Sequence, residues 1–344
     1  MRKQIWLLLL AVALIAAACG GGSTATTAVA GTDTTAAGTD TTAGTDTTAG
    51  TETTAAPSGD KPTINLVVNA WTASALNVEI AKQLIETELG YPVEAVAIDE
   101  NAAMFTGLSD GTVDAVLELW PSGITAAEQA FLDDGTVINI GELGTVGKIG
   151  WFVPSYVIDE HPELATWEGF MDPANAALFA TAETGDQGRF LGTDPSYSQY
   201  DEAIISNLDL PFQVIFSGSE PATVAELDAR VAAQEPIVMY WWTPTAAVAK
   251  YDLVNVTLPE YSEECYVDPA AIACDYPEDV LIKVASAKLE EKAPDVLAFL
   301  ENFTITTEDQ LSMLPAVEID GEDASVVAAQ WIADNEAVWS TWLP

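Results

Sequence analysis

The fold is decided by residues 64–98, which read INLVVNAWTASALNVEIAKQLIETELGYPVEAVAI. Ile64 to Asn69 is a short apolar run typical of a buried strand, and Ala75 to Leu89 repeats apolar residues at helical spacing. Gly90 is a natural stop for that helix, because glycine readily adopts the left-handed conformation at a helix C-terminus. Val93 to Ile98 predicts a second strand. Strand, helix and strand in this order predict an α/β sheet with parallel strand pairs.

The same alternation continues along the chain. The further predicted strands are Val113–Leu119, Gly150–Val153, Leu178–Thr181, Gln213–Phe216, Ile237–Trp241 and Leu281–Ser286, and the helices are Asn101–Leu108, Tyr200–Leu208, Val224–Ala233, Lys288–Asn302 and Ala324–Trp339. We therefore predict two α/β lobes, with residues 61–148 and 244–344 in lobe 1 and residues 149–243 in lobe 2. Ligands of such sheets bind outside the carboxyl ends of the strands, so a ligand cleft is expected between the lobes.

The composition limits the kinds of partner. The 344 residues are enough for two domains, and 11 lysines and arginines against 53 acidic residues leave a formal charge of −42. That balance excludes electrostatic binding to nucleic acid and a polybasic contact with anionic lipid. One histidine and three cysteines leave little material for a histidine-based triad or a zinc cluster. We predict no catalytic residue, no metal and no cofactor.

The N-terminus reads as an export signal. Arg2 and Lys3 precede an apolar run, Ile5 to Ala18, that is too short to span a bilayer comfortably. Small residues stand directly before Cys19 and resemble a bacterial lipobox, which predicts a signal peptide over residues 1–18 and a lipid on Cys19. The alternative is an ordinary secretory signal with an unrelated cysteine.

Residues 19–60 have the composition of a tether. The sequence GTDTTA occurs at residues 38–43 and again at residues 44–49, within a segment of small and polar residues. Such a segment has no apolar face to bury, so ordering it would cost backbone entropy without a compensating gain. We predict a disordered link between the lipidated cysteine and the globular part.

Four aromatic residues lie at strand ends or turns instead of inside periodic runs. They are Trp71, Trp120, Tyr197 and Trp242. Several ring faces around one point attract a quaternary ammonium group, and each well-placed ring contributes about 0.5–2 kcal/mol. For any one of these rings the alternative is core packing, but the shared position of the set favours a ligand-binding cage.

Several stretches resemble the substrate-binding proteins of ABC importers for glycine betaine, proline betaine and choline. The stretches are NAWTAS (69–74), ELGYPV (88–93), GTVDAVLELWP (111–121), GWFVPSY (150–156), DPSY (194–197), YWWTP (240–244) and CDYPEDV (274–280). The resemblance covers essentially everything after the tether. It implies a two-lobed, type II periplasmic-binding-protein fold that closes on its ligand.

The resemblance also implies roles for the four aromatic residues. The cage aromatic after the third strand corresponds to Trp120, the one in the second-lobe turn to Tyr197, and the one before the Thr-Pro turn to Trp242. A related branch has tryptophan where Tyr197 stands. Trp71 matches the first-strand aromatic of some branches and would form a fourth wall.

In the resembling family the ligand's carboxylate is typically bound by backbone amides. The amides of Ser198 and Gln199 suit this role because they open the helix predicted from Tyr200, and a helix start presents free N–H groups. One branch has a disulfide around this turn, whereas this chain has Thr193 and Gln199, so other contacts must hold the turn. Arg189 is a candidate direct partner, with a surface or lobe-bridging role as the alternative.

Cys265 and Cys274 remain in the exported chain once Cys19 carries lipid. An even pair with a short intervening loop in an exported protein is typical of a disulfide. Closure of a loop of about ten residues predicts slightly under ~3 kcal/mol of stabilisation.

Glu118 lies beside Trp120 at a predicted strand end. It would either complement a cation that lacks a carboxylate, such as choline, or cap a neighbouring backbone group, and both readings stay open.

The predicted function is extracytoplasmic capture of a quaternary-ammonium solute and its delivery to an ABC permease, without a chemical step. The protein is expected to be a lipid-anchored monomer on the outer face of the cytoplasmic membrane. One alternative is an exported carbohydrate-binding or adhesion module, because planar sugars also stack on tryptophan. A secreted enzyme acting on choline-like substrates is disfavoured, since the chain has no Gly-x-Ser-x-Gly elbow and no second histidine.

Overall fold

The computed structural model describes residues 61–100 and 102–344. The predicted signal peptide, the lipidated Cys19 and the tether over residues 19–60 lie outside the described residues.

The described residues form one mixed sheet. Its strands are β1 (Ile64–Val68), β2 (Val93–Ala97), β3 (Ala115–Leu119), β4 (Val137–Pro154), β5 (Gly188–Gly192), β6 (Phe212–Phe216), β7 (Met239–Thr243), β8 (Leu253–Val256) and β9 (Glu278–Ser286). They are ordered β2-β1-β3-β9-β4-β7-β5-β6, and β8 pairs with β4 beside this path. The predicted α/β fold is confirmed.

Parallel pairing occurs at both ends of the sheet, as the strand–helix alternation predicts. β1 is parallel to β2 and β3, and β5 is parallel to β6 and β7. The middle is antiparallel, because the 18-residue β4 pairs with β9 along its first part and with β7 and β8 along its last part. One long strand therefore connects the two parallel groups.

Thirteen α-helices lie between and after the strands of the described residues. They are α1 (Thr72–Leu84), α2 (Ala102–Asp110), α3 (Ala126–Asp133), α4 (Ser155–Glu160), α5 (Pro173–Ala176), α6 (Asp201–Asn207), α7 (Glu220–Ala233), α8 (Ala246–Lys250), α9 (Leu289–Lys292), α10 (Pro294–Asn302), α11 (Thr307–Glu318), α12 (Ala324–Asp334) and α13 (Glu336–Trp339). α1 continues into a π-helical turn, Ile85–Leu89, and Gly90 then adopts the predicted left-handed conformation with φ 69°. Short 3-10 helices occupy several of the connections.

The predicted strand at Leu178–Thr181 is wrong. Ala177–Phe179 forms a 3-10 helix, and the ring of Phe179 packs against Phe170 and Phe212 with centroids 5.8 and 5.7 Å apart. The strand of this region is β5, whose end glycines weaken its apolar pattern. Glycine is required at position 188, because a Cβ there would lie 2.4 Å from the ring of Phe212.

Other differences concern where elements end. The predicted strand Gly150–Val153 is only the last part of β4. The predicted helix Lys288–Asn302 is interrupted at Ala293, because the residue before a proline avoids the helical conformation. The helices α3, α4, α5, α8 and α11 were not predicted, although α3 and α11 begin with capping boxes at Thr125 and Thr306 respectively.

This topology puts the candidate ring residues at matching strand ends. β1, β2 and β3 are parallel neighbours, so their carboxyl ends share one edge of the sheet. Trp71 follows β1, Trp120 follows β3, Tyr197 lies in the loop after β5, and Trp242 is the next-to-last residue of β7. The lobe boundaries 61–148 with 244–344, and 149–243, stay a prediction.

Candidate functional site

The four predicted ring residues line one pocket. Its volume is about 300 Å³. The lining residues are Trp71, Glu100, Trp120, Ile149, Tyr197, Ser198, Tyr240 and Trp242. Residues that are distant in sequence thus meet because the parallel strand ends of the sheet converge there.

Tyr197 is the ring that connects the others. Its centroid lies 5.6 Å from Trp71 and 5.6 Å from Trp242, and both contacts are edge-to-face with interplanar angles of 89° and 84°. Edge-to-face contacts hold rings without stacking their faces together, so faces remain available to the pocket.

Tyr240 is a lining residue that sequence reasoning missed. It lies on β7, two positions before Trp242, and side chains at this spacing share one face of a strand. The ring centroids are 6.2 Å apart. The intervening Trp241 is fully buried, and its indole N–H donates to Thr245 Oγ1 at 2.8 Å. The period-two pattern of YWWT would have identified Tyr240.

Glu100 is a second missed residue, and it is acidic. It follows β2 at the same sheet edge as Trp71, and its carboxylate accepts a hydrogen bond from the backbone N–H of Trp120 at 3.2 Å. Burial raises the pKa of Glu100 to about 8, and neighbouring carboxylates including Glu118 add to the shift. The sequence signal for Glu100 was an acidic residue shortly after β2, a strand that pairs with β1.

Glu118 lies behind the pocket and caps no backbone group. Its Oε1 accepts from the indole N–H of Trp71 at 2.7 Å. Its Oε2 accepts from Asn77 Nδ2 at 2.6 Å and from Gln310 Nε2 at 3.1 Å. Burial raises the pKa of Glu118 to about 7, although these donors lower it. Glu118 therefore orients a pocket ring without lining the pocket.

The turn that carries Ser198 and Gln199 has free amides. Helix α6 begins only at Asp201, so these amides precede it instead of opening its first turn. Within residues 61–100 and 102–344, the backbone N–H groups of Ser198 and Gln199 have no hydrogen-bond acceptor. Of the two residues, Ser198 lines the pocket.

Gln199 holds the turn where a branch of the resembling family has a disulfide. Its Oε1 accepts from the backbone N–H of Thr193 at 3.1 Å, and its Nε2 donates to the carbonyl of Asp194. Arg189 does not reach the pocket, since both of its terminal nitrogens bind Glu226. The alternative role for Arg189, away from the ligand, agrees with this contact.

Hydrogen bonds cross from one side of the pocket to the other. The hydroxyl of Tyr197 donates to the carbonyl of Ala70 at 2.6 Å. The backbone N–H of Thr72 donates to Glu220 Oε2 at 3.0 Å. These contacts join the segments after β1 to those after β5 and β6, so the two sides of the pocket are held together.

A disulfide links Cys265 and Cys274 in the loop before β9, with the Cα atoms 6.5 Å apart. The nearby ring of Tyr266 packs edge-on against Tyr200, the residue before α6. The disulfide loop thus packs beside the turn that carries Ser198.

Five carboxyl groups around this region, three of them buried and two half-buried, have pKa values raised to about 7 or 8. Burial is the largest cause of a raised pKa in each of them. The values are about 8 for Glu100 and Glu318 and about 7 for Glu118, Asp201 and Glu220. Because folding raises these pKa values, the folded protein binds these protons more tightly than the unfolded chain does.

We therefore expect the protein to lose stability as the pH rises from about 5 to about 8. The contribution of each group is full below its unfolded pKa of about 4 and is lost as the pH passes its folded pKa. Repulsion within a chain of charge −42 acts in the same direction. Melting temperatures at pH 5, 6, 7 and 8 test this, and Glu118→Gln should show a smaller decrease. A melting temperature that is constant or rises over this range would contradict it.

A ring-lined pocket between two parallel groups of strands in one α/β sheet is typical of two-lobed ligand-binding proteins, and this chain has that arrangement. The chain belongs to the family described as the substrate binding domain of ABC-type glycine betaine transport systems, whose sequence model matches residues 62–334. The fold and the family predicted from the sequence are thereby confirmed.

A similar protein and two similar solved structures are ligand-binding proteins of the same kind. The chain is 25% identical over 293 residues to a trimethylamine N-oxide-binding protein of Pelagibacter ubique (strain HTCC1062), covering 83% of this chain and 91% of the relative. A lactococcal OpuAC in a closed conformation with glycine betaine is 21% identical with a TM-score of 0.66, covering 83% of this chain and all of that one. A choline-binding protein in complex with choline is 18% identical with a TM-score of 0.66, covering 82% and 92%.

Residues 61–100 and 102–344 contain no helix with the length and apolar character needed to cross a membrane.

Proposed function

We propose that this protein binds a small methylated ammonium compound in its aromatic pocket and presents it to the permease of an ABC importer. The observation that carries the proposal is the enclosure of one pocket by five aromatic side chains. They are Trp71, Trp120, Tyr197, Tyr240 and Trp242. The described lining includes no lysine, arginine or histidine, so ring faces and Glu100 are what a cation would meet.

The chemistry of the ligand follows from these walls. A quaternary nitrogen carries its charge over methyl groups and has no N–H to donate, so it gains little from hydrogen-bond acceptors. Ring faces attract it electrostatically and cover its methyl groups at the same time. A primary or secondary amine would leave N–H groups without partners in this pocket, and that carries a desolvation cost.

The ligands named for the similar proteins differ in the group that lies opposite the methylated nitrogen. Glycine betaine, choline and trimethylamine N-oxide share the methylated nitrogen and carry a carboxylate, a hydroxyl and an oxide oxygen respectively. We propose that the backbone amides of Ser198 and Gln199 donate to the oxygen of the ligand. Their lack of an acceptor among the described residues supports this role, and so does the position of Ser198 in the pocket lining.

Titration with a panel of solutes tests the function. Glycine betaine, proline betaine, choline, carnitine and trimethylamine N-oxide differ in their oxygen groups, and glycine serves as the unmethylated control. We expect at least one methylated compound to quench tryptophan fluorescence and to raise the melting temperature, and glycine to do neither. Binding of glycine as tight as that of every methylated compound would reject the role of the rings.

A surface carbohydrate-binding or adhesion module is not favoured. Such a module needs an open strip of exposed rings, whereas Trp120 and Trp242 are only 6% and 5% exposed. Trp71 and Tyr197 are equally enclosed.

We further propose that the protein acts outside the cytoplasm as a monomer tethered through a lipid on Cys19. The apolar run before Cys19 and the repeats after it support this proposal. Cys19→Ser is expected to move the protein from the membrane fraction to the soluble fraction of cells, because two acyl chains are what give stable anchoring. Unchanged fractionation of the variant would reject the anchor while leaving the binding function untouched.

A further inference from the structure

Glu118 is a buried carboxylate that touches a pocket ring from behind. Its side chain is on β3 and is 1% exposed. The indole N–H of Trp71 donates to it at 2.7 Å, and the amides of Asn77 and Gln310 donate to its other oxygen. The segment after β1, helix α1 and helix α11 thus supply donors to one carboxylate, and a hydrogen bond from the side chain of Trp120 also lowers the pKa of Glu118.

No positively charged side chain pairs with this carboxylate in the part of the chain that the structure describes. Among the described residues, none of the ion pairs includes Glu118. The nearest charged neighbours are also acids, since Glu220 raises its pKa and Glu118 in turn raises that of Glu100. A buried charge is costly unless a partner of opposite sign offsets it.

We propose that Glu118 is a positioning residue that strengthens cation binding through Trp71, and that the ligand's ammonium group supplies its missing counter-charge. This inference rests on the proposed function. The hydrogen bond fixes the plane of the indole ring. It also shifts electron density into the ring, because donors and acceptors polarise one another in a low dielectric. A more negative ring face attracts a cation more strongly.

Simple electrostatics adds a second contribution. Glu118 bonds the indole N–H of a lining ring and does not itself line the pocket, so the two charges do not touch, and the carboxylate is buried. Charges at such separations interact more strongly than they would in bulk water. The carboxylate therefore favours a positively charged ligand over an uncharged ligand of the same shape.

The substitution Glu118→Gln isolates the charge. Asn77 Oδ1 and Gln310 Oε1 are buried and have no hydrogen-bond partner among the described residues. Rotation of either amide would present an oxygen to the new side-chain amide, whose own oxygen can still accept from Trp71. The variant thus keeps the shape of the cluster and its contacts with Trp71, Asn77 and Gln310, and it loses the negative charge.

Matched ligand pairs provide the readout at pH 8, where a carboxyl group with a pKa of about 7 is mostly ionised. Choline is compared with 3,3-dimethylbutan-1-ol, and glycine betaine with 3,3-dimethylbutanoate, in which carbon replaces the nitrogen. For whichever ammonium compound the parent binds, we expect Glu118→Gln to weaken binding about 10-fold, which is within the range of one cation–π contact. Binding of the isostere should change less than about 2-fold.

A double-mutant cycle shows whether the effect passes through the indole. Trp71→Phe keeps a ring but has no N–H to donate, so adding Glu118→Gln should then weaken binding clearly less than in the parent. Melting temperatures confirm that each variant is folded.

Three outcomes would overturn the inference. They are equal weakening of ammonium compound and isostere, no weakening of either, and the same effect of Glu118→Gln with and without Trp71. Failure of the parent to bind either ammonium compound is a different result, because it rejects the proposed function itself.

Discussion

Replacing Trp120 or Trp242 by alanine is expected to weaken binding of a methylated ammonium ligand by about 5- to 150-fold, or roughly 1–3 kcal/mol. Each substitution removes one wall of the pocket and lets water reach the cation. Phenylalanine at either position should retain more affinity, because a smaller ring face remains where the indole was. The two rings come from the two different parallel groups of the sheet, one after β3 and one on β7, so the two losses should be similar in kind.

Fluorescence or calorimetric titration against the tightest ligand of the panel measures this. Trp167→Ala is a matched control, since Trp167 is a half-buried tryptophan outside the pocket lining. It should bind like the parent. If Trp120→Ala and Trp242→Ala both bound the ligand as the parent does, the aromatic cage and the function built on it would have to be abandoned.

Gly123→Ala is expected to weaken binding of every ligand by the same factor, about 10-fold or more. Gly123 ends the short helix after β3, and a Cβ there would lie 1.9 Å from Ser198 Oγ and 2.9 Å from Ser198 Cβ. The added methyl group therefore collides across the pocket with the turn after β5. A ligand that contacts both sides binds the closed arrangement. Its apparent affinity therefore falls when that arrangement becomes less favourable.

The collision can be relieved from the other side. Ser198→Gly removes both atoms that the new methyl group would meet, and it keeps the backbone amide proposed to bind the ligand. The double variant Gly123→Ala with Ser198→Gly should therefore bind like Ser198→Gly alone. Titrations of the three variants, with melting temperatures of the free proteins, make the comparison. Equal affinity of Gly123→Ala and the parent would show that the two sides do not close as described.

The sequence by itself determined the framework of this protein. Apolar periodicity separates strands from helices locally, and parallel strands place their carboxyl ends at one edge. That is why Trp71 and Trp120, each just after a strand, could be assigned to one site without coordinates. Tyr197 and Trp242 lie far away along the chain, and their positions at a turn and a strand end placed them in the same set, which the family motifs then supported.

Only the tertiary structure decided which groups support and complete that site. Glu118 occupies a strand position whose pattern does not tell whether its carboxylate meets water, backbone or an indole N–H. Glu100 became a lining residue because β2 pairs beside β1, and Gly123 became a contact point because the turn at Ser198 approaches it. The local sequence pattern shows only whether a residue fits its own strand or helix. Burial, hydrogen-bond partners and pKa depend on segments that arrive from elsewhere in the chain, and that arrangement exists only once the whole sheet has formed.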